Sequence, residues 1–172
     1  PTKQYYSNNK IEYNIDKDAG CSVPVIKMNI HCNGTHTETA NHVIKDGPTI
    51  DGITNLNFVP SQLISISPES STNEYYHHNI EKGDQVITKK ILKNFIIDKN
   101  FTKALIIRTL PNMEIKKYRD YNRYHHPYLT NDAISYIRDL GIKHLLIDTP
   151  SIDRYDDNGK LGNHHIFFKS ND

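Results

Sequence analysis

Apolar and polar positions alternate or recur in six stretches, and these predict the ordered elements. "SVPVIKMNI" (22–30) alternates in part, as a strand with one buried face does. "SQLISISP" (61–68) places Leu63 and Ser65 on one face and Ile64 and Ile66 on the other, then stops at Pro68. "DQVITKKILKNFI" (84–96) spaces Ile87, Ile91 and Phe95 as a helix does, with Leu92 alongside and Asp84 as its N-cap. "KALIIRT" (103–109) is a short apolar strand. "NDAISYIRDL" (131–140) carries a helical stripe of Ile134, Ile137 and Leu140, capped by Thr130 and stopped by Gly141. "KHLLIDTP" (143–150) follows as a buried strand. Strand 103–109, helix 131–140 and strand 143–149 together form one crossover unit with parallel strands. The expectation is an α/β chain.

Between these elements lie polar segments. The first twenty residues, rich in Tyr and Asn, are expected to form an excursion or loop. Residues 69–82, with Tyr75, Tyr76, His77 and His78, are expected to form a surface loop. "LPNMEIKKYRDYNRYHHPYLT" (110–130) is too long for an ordinary connection, which points to a functional segment. No repeat and no Gly/Ser linker divides the chain, so 172 residues make one domain with room for a core.

Composition changes the picture mainly by exclusion. The chain has 21 basic and 20 acidic residues, a net charge of +1, so no electrostatic case for nucleic acid or membrane arises. The basic, aromatic run 116–128 could be a stacking strip for nucleic acid, but near-neutral charge favours a solvated loop. Cys21 and Cys32 are too few for a disulfide scaffold, although one bridge between them stays open. A reducing, cytoplasmic setting is expected. No apolar run approaches a membrane span or a signal-peptide core, and the start at Pro1 is consistent with trimming.

Candidate chemistry gathers in "HCNGTHTETANH" (31–42), which holds three histidines, a cysteine and a glutamate but only one aliphatic side chain. Gly34 and the β-branched Thr35, Thr37 and Thr39 disfavour a helix. In an extended backbone Cys32, Gly34, His36 and Glu38 share a face, and His31 falls on the other. Thiolate, imidazole and carboxylate are all ligands for a divalent metal, and Gly34 leaves space between them. His42, four residues past Glu38, suits a proton carrier titrating near neutrality. The plain alternative has His36 and His42 as surface histidines and Cys32 as a small buried hydrophobe.

"CNGTHTETANH" (32–42) resembles the signature of the cyclase-type metal-dependent hydrolases, the family that includes bacterial kynurenine formamidase and isatin hydrolase. That signature reads H-x-G-T-H-x-D-x-P-x-H. Gly34, Thr35, His36 and His42 match it, whereas Cys32, Glu38 and Ala40 stand where the family has His, Asp and Pro. "GIKHLLIDTPSID" (141–153) is similar to the family's strand followed by D-x-P-S-x-D, and "GNHHIFF" (162–168) to the block supplying a further His ligand. The three blocks occur in the family's order over most of the chain.

The resemblance implies a mixed, partly barrel-like β-sheet flanked by helices, a swivelling β/β/α-like arrangement. By position it implies His36, Glu38 and His164 as metal ligands, Cys32 in the first-ligand place and His42 as catalytic acid/base. Asp148, Ser151 and Asp153 would shape the site loop. The segment 110–130 corresponds to a cap, in which Tyr124, His126 and Tyr128 would contact a small-molecule substrate or a neighbouring subunit. Zinc is the expected metal, since a cysteine ligand favours it, with manganese the other option. The implied reaction is hydrolysis of a small amide, lactam or ester by water activated at that metal. A member that keeps the fold and binds metal or a small ligand without turnover is the other reading, because of Cys32. Family members also assemble into homo-oligomers. They begin with a further strand and carry a further glutamate ligand beyond the His block, so residues 1–172 are expected to be incomplete at both ends.

Overall fold

The crossover expected from the apolar pattern is present. Strand β5 (Ala104–Thr109) leads through helix α3 (Asn131–Asp139) to strand β7 (His144–Ile147), and the two strands pair in parallel with Ala104 opposite His144. These assignments come from a computed structural model that describes residues 2–32, 34–53, 58–95 and 97–168, without the side chains of residues 2 and 3. β3 (Ser61–Ile66) pairs in parallel along the other edge of β5, giving the order β3-β5-β7. Ile64, Ile66, Leu105 and Ile107 point from this sheet into one core with Leu92, Ile134 and Ile137. Burying such side chains stabilises by roughly 1.5–3 kcal/mol each relative to leaving them exposed.

Helix α3 starts where the cap predicts. Thr130 is fully buried, and its Oγ1 accepts the Ala133 N–H at 3.0 Å. The same hydroxyl donates to Glu74 Oε2 at 2.7 Å. Glu74 also accepts the N–H groups of Lys89 and Lys90, so one carboxylate ties the first turns of two helices. Thr130→Ala removes both bonds and is expected to cost about 1–2 kcal/mol, read as a lower urea midpoint with unchanged slope. Gly141 ends the helix with φ +78°, a left-handed position that favours glycine.

The segment 84–96 departs from its helical pattern. Val86 and Ile87 form strand β4, parallel to β6 (Tyr128–Leu129), and only a single turn, α2 (Lys89–Leu92), follows. Pairing with a strand forty residues away outweighs the local 3.6-residue period, and all four paired residues are buried. Thr88, not Asp84, caps the turn by accepting the Ile91 N–H. Ile96, the end of the expected helix, lies outside the described residues. β6 also shows that the long segment 110–130 rejoins the core at its end.

By contact density the chain divides into two units, Pro1–Glu38 and Thr39–Asp172. The elements above belong to the second, as do α1 (Ile50–Ile53) and α4 (Gly162–Phe168). The first is an antiparallel ribbon of β1 (Thr2–Tyr5) and β2 (Pro24–Lys27), with Tyr5 opposite Pro24. β1 was not expected in so polar a segment, and β2 is shorter than 22–30 and exposed throughout. The architecture is thus α/β with parallel and antiparallel pairing flanked by helices, and no closed barrel among the described residues. No helix among those residues is long and apolar enough to cross a membrane.

Candidate metal centre

Within the first unit, the stretch from His31 onward is not extended. Residues 31 and 32 form a turn, and Gly34 sits at φ +85°. The alternation that would place Cys32 with His36 and Glu38 is therefore broken. His31 takes that place. Its Nδ1 lies 3.5 Å from Glu38 Oε2, its ring meets that of His36 edge-on at 5.2 Å, and one ligand atom from each of His31, His36 and Glu38 falls within 4.8 Å of the others. Cys32 is exposed and belongs to no such group among the described residues. His36 Nδ1 sits 2.9 Å from the Gly34 carbonyl, which can only accept. The proton is thereby placed on Nδ1, and Nε2 becomes the basic nitrogen.

In the second unit, His42 closes a short 3₁₀ turn (Ala40–His42) and is exposed. Its ring lies 5.7 Å from that of His164, at 60°. His164 is buried on α4, with Nδ1 2.6 Å from Asp153 Oδ2. A carboxylate on one imidazole nitrogen fixes the tautomer and leaves ligand duty to the other, the arrangement found behind many metal-bound histidines. Asp153, fully buried, also accepts the N–H groups of Asn163 and His164 and the hydroxyl of Tyr76. Burial pushes its carboxyl up, but the bonds from His164 and the Asn163 N–H outweigh this and hold it below the usual carboxylate range. Asp153, expected to shape the site loop, therefore holds the His164 ring. Asp148 does comparable work at the end of β7, accepting from Thr109 and from Lys116 Nζ at 2.6 Å, and so anchors the start of the 110–130 segment.

His77, expected on a surface loop, is instead largely buried. Its Nδ1 is 3.2 Å from Asn131 Oδ1 and its Nε2 3.2 Å from Asp157 Oδ2. A Cβ on Gly162 would come within 2.3 Å of the His77 ring, so this first residue of α4 must be glycine for the two to pack. Asn163, next along, donates to the Leu129 and Ile152 carbonyls and accepts from Asn131. This polar network sets the angle at which α4 presents His164. Single residues gave no sign of it in the sequence, since the partners lie from 11 to 80 positions apart.

The three expected substrate contacts occupy different environments. Tyr124 is exposed. His126 is buried, its Nδ1 2.9 Å from the Pro127 carbonyl, and burial pushes its imidazole below the ordinary value. Tyr128 is a core residue at 1% exposure, its hydroxyl donating to Asp84 at 2.9 Å, so it packs the interior where a substrate contact was expected.

The family model described as "Putative cyclase" matches residues 3–154. This chain belongs to that cyclase family. A kynurenine formamidase of Bacillus mycoides (strain KBAB4) is 26% identical over 161 residues, 93% of this chain and 66% of the relative. A kynurenine formamidase of Bacillus anthracis is 26% identical over 155 residues, 90% of this chain and 63% of the relative. A solved structure described as a predicted metal-dependent hydrolase from Bacillus stearothermophilus superposes with a TM-score of 0.57 at 19% identity, over 98% of this chain and 66% of that one. That likeness is one of fold. The chain thus spans just under two-thirds of the length of the relatives it matches.

Proposed function

We propose that the protein is a metal-dependent hydrolase of a small-molecule amide or lactam, acting on a carbon–nitrogen bond as the formamidases it resembles do by name. The observation that carries this reading is the buried Asp153–His164 pair with the His42 ring beside it. The donor chemistry suits a borderline divalent cation: two imidazoles and a carboxylate lie together in the first unit, and an imidazole backed by a carboxylate lies in the second. On the family pattern His36, Glu38 and His164 are assigned as ligands, with zinc the proposed metal. When bound, such an ion polarises a carbonyl and lowers the pKa of water from about 16 to roughly 7.

The chain's own groups supply the rest. Asp153 holds the proton of His164 on Nδ1, so the ring cannot turn its protonated edge towards a cation. His42 is exposed, and an imidazole so placed accepts a proton from water and returns it to the leaving amine, an effect typically worth about 100- to 10,000-fold. Tyr124, exposed, and His126, buried, belong to the segment proposed to meet the substrate. A homo-oligomer and a reducing cytoplasmic setting complete the proposal, the latter suited to the two free, exposed cysteines.

A second reading, metal binding without turnover, is favoured by one observation: Cys32 stands at the family's first-ligand position and joins no ligand group among the described residues. Metal analysis of the purified protein followed by a screen of aryl formamides, among them a formamide of kynurenine, and of lactams separates the two. Chelator-sensitive hydrolysis that falls at least 100-fold in His42→Ala is the expected result. Full metal occupancy with no turnover on any acyl amide, lactam or ester establishes the second reading.

A further inference from the structure

We propose that His31 is a metal-ligating residue of this chain, supplying from one position upstream the imidazole that Cys32 does not. The proposal rests on the metal-dependent reading above and concerns which side chain completes the site. Nothing in the family pattern points to His31, since that pattern places its histidine at the next position.

The geometry of the turn makes the exchange. Were the backbone extended, His31 and His36 would face opposite ways, five residues apart. The turn at 31–32 and the left-handed Gly34 rotate His31 round to the side of Glu38. At 3.5 Å, His31 Nδ1 and Glu38 Oε2 are farther apart than a charge-assisted hydrogen bond, which closes to about 2.7–2.9 Å. Ligand atoms about a tetrahedral zinc stand about 3.3 Å apart, given bonds of about 2.0–2.1 Å. The three atoms here lie within 4.8 Å of one another, so small side-chain rotations bring them to that spacing. His36 is already set for the task, with Nδ1 on the Gly34 carbonyl and Nε2 basic.

The chemistry distinguishes this arrangement from a cysteine site. A set of two imidazoles and a carboxylate is harder than one containing thiolate, and it loads without deprotonating a sulfur. It therefore accepts cobalt and manganese as well as zinc.

The test is a Co2+ titration of the full chain by absorbance and calorimetry, comparing wild type with His31→Gln, Cys32→Ser and His36→Ala. All three positions are exposed, and melting curves check that each variant folds as wild type does. The proposal expects His31→Gln to weaken Co2+ binding at least tenfold and Cys32→Ser to change it less than threefold. It also expects no thiolate-to-cobalt charge-transfer band in the wild-type complex. A thiolate band that disappears in Cys32→Ser, with affinity lost there and kept in His31→Gln, overturns it while leaving the metal site in place. If His36→Ala binds Co2+ as wild type does, the metal site itself is refuted, and the assignment of His31 with it.

Discussion

Asp153→Asn is expected to destabilise the protein by about 2–4 kcal/mol, because it leaves buried donors without an acceptor at a cost of about 1–3 kcal/mol each. The carboxylate receives the Tyr76 hydroxyl and the Asn163 N–H on Oδ1, and the His164 N–H and Nδ1 on Oδ2. Asparagine offers only one acceptor oxygen. Whichever way its amide turns, an NH2 group faces two donors, and a buried donor without an acceptor costs its full desolvation. The second consequence reaches the site: His164 loses the acceptor that holds its proton on Nδ1. With His164 in the ligand role proposed above, loss of such a partner is expected to weaken metal affinity about 10- to 100-fold. Urea unfolding measures the first effect, and the NMR signal of the His164 ring proton reports the second. A loss below about 1 kcal/mol with that proton signal unchanged would show that the Tyr76–Asn163–His164 cluster is organised by something other than Asp153.

What the sequence revealed follows the range of the forces involved. β3, β5, α3 and β7 were legible because each carries its own apolar period and its own stop: Pro68, the Thr130 cap, Gly141. The segment 84–96 was not, because Val86 and Ile87 answer to Tyr128 and Leu129 and not to their sequence neighbours. β1 was invisible for the opposite reason: it pairs with a strand, β2, that is exposed throughout, and "TKQY" has no apolar alternation.

The site divides in the same way. His164 and Asp153 stand in two family-like blocks of the sequence, but their 2.6 Å contact could not be read there. A period of two puts Cys32 beside His36 and Glu38. One turn and one left-handed glycine suffice to exchange it for His31. The resemblance implies a cap role for Tyr128, but a strand of two residues carries it into the core. His77 lies in a loop by pattern and in a buried network by contact, since its partners Asn131 and Asp157 are more than fifty positions away.

Asp84 and Arg154 form the other pair whose loss is expected to be severe, about 3–5 kcal/mol for Asp84→Ala. Arg154 Nε donates to Asp84 Oδ2 at 2.9 Å, and the same carboxylate accepts the Glu81 N–H and the Tyr128 hydroxyl, each at 2.9 Å. Asp84 is 6% exposed and the Arg154 side chain 10%, so water replaces little of what a deletion removes. Arg154→Ala leaves the carboxylate only the Glu81 N–H and the Tyr128 hydroxyl, Asp84→Ala leaves the guanidinium only Glu81 and the Asp156 carbonyl, and the double variant removes both charges together. The double variant should therefore lose less than the sum of the singles, by more than about 1 kcal/mol. Additive losses would show that the two side chains act independently. Acid provides a separate check. Burial pushes the Asp84 carboxyl up, but Arg154, the Glu81 N–H and the Tyr128 hydroxyl together hold it below its ordinary value. A carboxyl with a folded-state pKa below its unfolded value of about 4 contributes stability that is fully present above that pH. The contribution disappears as pH falls through the depressed folded-state value. Wild type should thus lose stability more steeply than Asp84→Asn once the pH drops below about 4, and parallel acid limbs for the two proteins would show that the pair contributes no such linkage.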